Sequence, residues 1–288
     1  MSKLNYMADN KKIFILGAKG MLGTELCKVF NGQEVFAWDF EELDITNEAQ
    51  VQEKIIALHP EIIINAAAYN NVDGAEEARE KANLLNGYAP GYIAKAAKDI
   101  GAIFIHYSTD YVFNGEKREG YREDDAPHPI SSYGESKLLG EEEIRKNTDK
   151  FYIIRLSKLF GKIGTGQAVK NSFVDTMLTL AEKRDKLEII DEELSSPTYA
   201  PDLTKRTKYI LENNLAFGIY HSANNGACTW FEFAQEIFKQ SGKDIEVVPV
   251  SGDKFPRPAK RPEYSILLNT KLPEMRKWQI ALEEYLNL

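Results

Sequence analysis

The sequence predicts an α/β fold, a doubly wound parallel sheet with a smaller C-terminal substrate-binding lobe, on three observations. From Lys12 onward, short β-branched or aromatic runs alternate with longer segments of helical period, the mark of parallel strands joined by crossover helices. The strand-like runs are mostly apolar rather than alternating, as expected where both sheet faces are covered. The first run leads straight into Gly17-Ala18-Lys19-Gly20-Met21-Leu22-Gly23, a glycine-spaced turn that opens a helix.

Taken in order, the expected strands are KIFILG, EVFAWD, EIIINAA, AIFIHYS, FYIIRLS, KLEIID and GIYHSA. Seven runs of this kind imply one large sheet. Helical periodicity covers residues 21–30, 48–58, 75–100, 136–146, 171–183 and 202–213. Residues 1–10 read as a loose tail and 11–162 as the first unit. The stretch 163–288 reads mainly as a second lobe, with strands near 186–191 and 218–223 returning to the main sheet. Past Gly161 the pattern loosens: GKIGTGQ reads as a loop, and SGDKFPRPAKRPEYS is too rich in proline for regular structure.

Composition narrows the partners. A chain of 288 residues, 43% hydrophobic, buries a sizeable core, and its net charge of −8 gives no footprint for nucleic acid or an anionic membrane. Cys27 and Cys228 lie far apart in segments that read as helices, so a disulfide is not expected and a reducing, cytoplasmic setting fits. The opening MSKLNYMADNKK has no apolar core of a signal peptide, and no run is long enough to span a membrane. His59, His106, His128 and His221 lack ligand spacing, so no metal site is assigned. His106 and His221 read as strand-end packing, and the aromatic residues of TWFEFAQEIF as core.

The glycine turn suits a dinucleotide. Glycine allows the tight turn and a close approach of backbone to pyrophosphate, and free N–H groups at a helix start attract the anion. Gly17, Gly20, Met21, Leu22 and Gly23 are the candidate residues, in a strand–turn–helix that makes 11–162 a Rossmann-like NAD(P)-binding unit. Asp39 ends the second strand, where a carboxylate accepts hydrogen bonds from ribose hydroxyls and repels a 2′-phosphate. It favours NADH over NADPH, with Lys19 as a partial offset. Asp44 and Ile45 are placed to flank adenine. The small-residue strand end Ala67, Ala68, Tyr69 and Asn70 lets a cofactor lie close.

The fourth strand ends in HYSTDYVFNG, placing Tyr107, Thr109 and Asp110 at the carboxyl edge of the sheet, where such folds bind ligands. Tyr133 and Lys137 in YGESK are one helical turn apart, on one face. Their convergence with Thr109 gives a phenol to move a proton, an ammonium to draw the phenol below its ordinary pKa, and a hydroxyl to steady an alkoxide. A nicotinamide would supply the hydride.

GAKGMLG, INAAAYNNVDGAE, HYSTDYVFNG and YGESK together resemble the extended short-chain dehydrogenase/reductase family, in its branch that reduces dTDP-linked 4-keto sugars. The resemblance runs from about Lys12 to the end, through SSPTYAPDL, GIYHSANNGACTWFEFAQEIF and RPAKRPEYSILLN. It implies reduction of the 4-keto group of dTDP-4-dehydro-6-deoxy-L-mannose, with Tyr133 as proton donor, Lys137 on the nicotinamide ribose and Thr109 orienting the ketone. It also makes Tyr107 and residues 68–70 cofactor contacts, and Thr109 and Asp110 sugar contacts. The basic run 257–262 turns toward substrate, with Arg261 suited to a diphosphate. One departure stands out: Lys158 occupies the place where the family carries a tryptophan beside the sugar. Some relatives hold Mg2+ near a homodimer interface, and Glu25 and Asp202 match the acidic positions. Two alternatives stay open. One is an epimerase or dehydratase that recycles its cofactor; the other is a non-catalytic NADP-binding regulatory subunit like the methionine adenosyltransferase partner.

Overall fold

The computed structural model describes residues 10–166 and 170–288. Most of the expected tail, residues 1–9, lies outside them. Among the described residues the main sheet has six strands, all parallel: β1 (Lys12–Leu16), β2 (Glu34–Trp38), β3 (Ile62–Asn65), β4 (Ile103–Thr109), β5 (Phe151–Leu156) and, after β6 (Leu159–Phe160), β7 (Lys186–Ile190) and β8 (Thr198–Tyr199), β9 (Gly218–His221). Their spatial order is β2-β1-β3-β4-β5-β9. The chain therefore reverses direction across the sheet between β1 and β3, which opens a crevice at their carboxyl ends.

The expectation of seven strands in this sheet is corrected at one place. The KLEIID run, β7, does not return to it; β7 pairs with β10 (Glu246–Val250) in a separate two-stranded sheet. The reason is legible in the burial: Lys186 is exposed and Glu188 half-exposed, ion-paired to Glu246 and Lys254, while Leu187 and Ile189 are buried. One face of this strand is covered along its length, and the other only at Ile190.

Helices cover both faces of the main sheet. On one lie α1 (Met21–Val29) and α8 (Ala200–Glu212), packed on Ile13, Ile15, Ile105 and Tyr107. On the other, α2 (Glu48–Leu58), α5 (Ala89–Ile100) and α6 (Ser132–Asn147) pack on Phe14, Ile63, Phe104 and Ile153. The predicted helix over 75–100 is broken into α3 (Gly74–Glu77), α4 (Arg79–Ala82), a π-helical turn (Asn83–Tyr88) and α5. A third core, around Phe160, Met177, Phe233 and Trp278, belongs to the later chain and includes α7 (Phe173–Leu180), α9 (Trp230–Ser241) and α10 (Trp278–Leu286). Both cysteines are free thiols, and Cys228 precedes α9 instead of lying in it. Among the described residues no helix is long and apolar enough to cross a membrane.

Candidate active site

The glycine turn fits tightly at the β1–β3 crevice. Gly17 has φ of +73°, and a Cβ there would sit 2.6 Å from the Ala67 nitrogen; one on Gly23 would sit 2.1 Å from the Gly17 carbonyl oxygen. Gly20 is the N-cap of α1, with no side chain capping the first turn and no acid in it, so no side chain of the helix itself offsets its positive end. A pyrophosphate-bearing cofactor suits such a cradle. Met21 and Leu22 turn their side chains into the core and offer the cradle only backbone.

Asp39 closes the same turn. Its two oxygens accept the N–H groups of Lys19 and Phe40, both at 2.9 Å. Lys19 turns its ammonium to Glu41 at 3.0 Å, with Glu42 at 3.9 Å, so the offset expected of it is already engaged by carboxylates. Asp44 forms a turn with Thr46, whose N–H and hydroxyl donate to its Oδ1, and Ile45 is buried in the core. Ala67, Ala68 and Tyr69 are half-buried at the end of β3 and Asn70 is exposed. Asn86 holds this edge, accepting the Tyr69 N–H at 2.7 Å while donating to the Tyr69 carbonyl and to Ser136 of α6. Sequence reasoning missed Asn86; nothing in ANLLNGYAP marks a π-helical turn.

Helix α6 begins at Ser132, earlier than the periodicity indicated, and the Ser131 hydroxyl caps it by accepting the Gly134 N–H at 3.2 Å. Tyr133 thus falls in the first turn and Lys137 one turn on. The helix is pulled close on both sides: a Cβ on Gly134 would meet the Tyr111 carbonyl oxygen at 2.2 Å, and one on Gly140 the Asn86 carbonyl oxygen at 2.2 Å. Lys137 is 2% exposed and donates to the Tyr107 carbonyl at 2.6 Å. Tyr107 thus touches this site through its backbone alone. Its phenol lies on the opposite face of the sheet, hydrogen-bonded to Thr207, because successive strand side chains alternate.

Tyr133 lies near enough to Thr109 for the threonine hydroxyl to act on its phenol, and Thr109 donates to Asp110 at 3.0 Å. Asp110 also accepts from Ser265 at 2.6 Å; burial pushes its carboxyl up to about 6 against those hydrogen bonds. The expected depression of the Tyr133 phenol by Lys137 is not found. Burial pushes the phenol well above its ordinary value, the Thr109 hydroxyl opposes that, and Lys137 is not among the groups that shift it. Burial instead lowers Lys137 to about 8, partly countered by Glu141.

On the far side, Lys158 has φ of +42° and donates to the carbonyls of Glu193 and Cys228 at 2.9 and 2.6 Å, its ammonium 4.5 Å from the Trp230 ring centroid. Its charge is held by the protein rather than presented free. Trp230, read from sequence as core, also donates its indole N–H to Glu193, which pairs with Arg257. Arg261 grips Asp73 with two nitrogens, at 2.8 and 2.7 Å. Arg257, Lys260 and Arg261 line a cavity of about 340 Å3 with Phe255. Glu25 pairs with Lys28, and both Asp202 oxygens are taken by Arg276, so this pair does not fit Mg2+. Among the described residues no group of three or more potential ligands is arranged to hold a metal.

The chain is similar to known proteins over nearly its whole length. The chain is 38% identical over 281 residues to the spore coat polysaccharide biosynthesis protein SpsK of Bacillus subtilis (strain 168), covering 96% of each. It is 38% identical to dTDP-4-dehydrorhamnose reductase of Aggregatibacter actinomycetemcomitans, over 94% of this chain and 97% of that one. The crystal structure of dTDP-4-dehydrorhamnose reductase from Bacillus anthracis str. Ames in complex with NADP superposes with a TM-score of 0.91 at 37% identity, covering 96% of this chain and 99% of that one. The family profile described as the RmlD substrate binding domain matches residues 11–288, and the chain belongs to that family.

Proposed function

We propose that the chain is an NAD(P)H-dependent oxidoreductase that reduces the 4-keto group of a dTDP-linked 6-deoxy-hexose, converting dTDP-4-dehydro-L-rhamnose to dTDP-L-rhamnose. The observation that carries this reading is the meeting of Tyr133, Thr109 and Lys137 at the carboxyl edge of β4, beside the glycine cradle, in a chain whose full-length relatives bear that reductase name. When bound, the reduced nicotinamide supplies a hydride to the carbonyl carbon. Tyr133, its proton held firmly by burial, gives that proton to the carbonyl oxygen. Thr109 steadies the phenol, and Lys137 anchors the cofactor ribose. Asp110 contacts the sugar. Lys158 and Arg261 act on the sugar side through the segments they fasten, around Glu193 and Asp73.

Asp39, with Glu41 and Glu42 close around Lys19, supports NADH as the better reductant, because a 2′-phosphate would enter an acidic setting. NADPH is the second reading, favoured by the NADP bound in the Bacillus anthracis relative. One panel tests all of this: NADH and NADPH against freshly generated dTDP- and GDP-4-keto-6-deoxy sugars, followed by absorbance and product stereochemistry. The reductase consumes one reduced cofactor per sugar. An epimerase or dehydratase would show no net oxidation, and a regulatory subunit would bind NADPH without turnover; either result would overturn the proposal.

A further inference from the structure

Behind the candidate catalytic pair runs a buried polar chain with no obvious structural need. The Ala67 N–H donates to Asn65 Oδ1 at 3.0 Å, which fixes which end of the amide is oxygen. The other end, Nδ2, lies 3.2 Å from His106 Nδ1. An amide nitrogen only donates, so Nδ1 accepts. Asn65 and His106 are each 1% exposed, and burial first, then the charge of Lys137, hold the imidazole neutral well below its ordinary pKa. Its single proton is therefore on Nε2, and Nε2 faces Lys137 Nζ at 3.4 Å.

We propose that His106 is a positioning residue for Lys137, turning a fixed Nε2–H donor toward the lysine nitrogen and so weakening its hold on its third proton. This rests on the reading of Lys137 as a member of the catalytic pair. An ammonium carries only donors and meets the imidazole N–H head to head. A neutral amine accepts that N–H through its lone pair and still donates to the Tyr107 carbonyl, 2.6 Å away. The pocket therefore discriminates against the charged form. The other titratable groups around Lys137 share its helix: Tyr133, and Glu141, which favours the ammonium but is itself neutralised by Arg155 of β5 at 2.6 and 2.8 Å. Arg155 in turn touches His221 of β9. Burial and the Asn65–His106 pair act in the same direction on Lys137, and keep its proton exchangeable near neutral pH.

Long-range proton–nitrogen NMR of the histidine-labelled full chain, with and without NADH, reads the tautomer directly. A neutral His106 protonated at Nε2 from pH 6 to pH 8 is the expected result; protonation at Nδ1, or an imidazolium, overturns the proposal. Asn65→Asp keeps an oxygen for the Ala67 N–H and offers a second to Nδ1, which draws the proton there and leaves Nε2 to accept from the ammonium. The Lys137 Cε titration should then move up by about one pH unit or more, together with the alkaline limb of kcat/KM. An unmoved Lys137 titration after a confirmed tautomer inversion overturns the proposal. Should Asn65→Asp not fold, His106→Phe, which removes the donor, is to raise the same titration, and no rise counts against it. These spectra do not depend on sugar reduction, so failure of the catalytic reading shows separately, as absence of turnover with the spectra as expected.

Discussion

At the scale of the residue, the site rests on which proton is held tightly and which loosely. Burial raises the Tyr133 phenol, so its proton stays in place throughout the neutral range, and the group lowered to about 8 is Lys137. Tyr133→Phe is expected to lower kcat by about 10²- to 10⁴-fold with cofactor affinity near wild type, while Lys137→Met damages both. The residual activity of Tyr133→Phe should keep an alkaline limb near 8, since that limb belongs to the lysine; a limb that vanishes with the phenol would return it to Tyr133. Asp39→Ala should shift preference toward NADPH. A wild-type preference for NADPH beyond about tenfold in kcat/KM, roughly 1.4 kcal/mol, would count against the carboxylate as selector. The pair Tyr133 and Lys137 was legible because helical spacing is local, and Thr109 because it closes an apolar strand. His106 was read as packing, because its partners stand 41 and 31 residues away and only the fold aligns them.

At the scale of the element, close approach of backbones explains what side-chain patterns do not show. The glycine turn was legible as a tight strand-to-helix turn suited to a nucleotide, but not which of its glycines is packed most closely. A Cβ on Gly23 would stand 2.1 Å from the Gly17 carbonyl oxygen, against 3.2 Å for one on Gly20. Gly23→Ala should therefore abolish cofactor binding, measured by fluorescence titration, while Gly20→Ala weakens it far less; equal effects would mean that the turn's shape does not decide affinity. Five of the expected strands and β9 joined the sheet as read, since two-sided burial writes itself as an unbroken apolar run. The KLEIID run misled because its partner β10, EVVPV, carries Pro249 and was passed over in a proline-rich neighbourhood. The break of the long helix at Asn83–Tyr88 had no local signal either, and Asn86 is the residue it brings to the site.

At the scale of the whole molecule, buried charge links stability to pH. His106 is held well below its ordinary value and His221 at about 4, both first by burial, so the folded protein binds fewer protons there than the unfolded chain. Stability they contribute is present above about pH 6.5 and is lost as pH falls toward 4, by up to about 1.4 kcal/mol per pH unit for each. Asp110, raised to about 6, works the other way over the window from its ordinary carboxylate value to about 6, favouring the fold as pH falls. Urea melts at pH 7.5, 6 and 5 should show net loss, and a flat profile would mean that the histidines are charged or exposed. Closure of the substrate side is equally non-local: Ser265 reaches Asp110 across 155 positions, and Arg261 reaches Asp73 across 188. The glycine turn and the strand end it meets lie within the first 67 residues, whereas Thr109 donates to a carboxylate that is itself held by residue 265. During refolding, the Gly17–Gly23 turn should accordingly close ahead of the Thr109–Asp110–Ser265 chain.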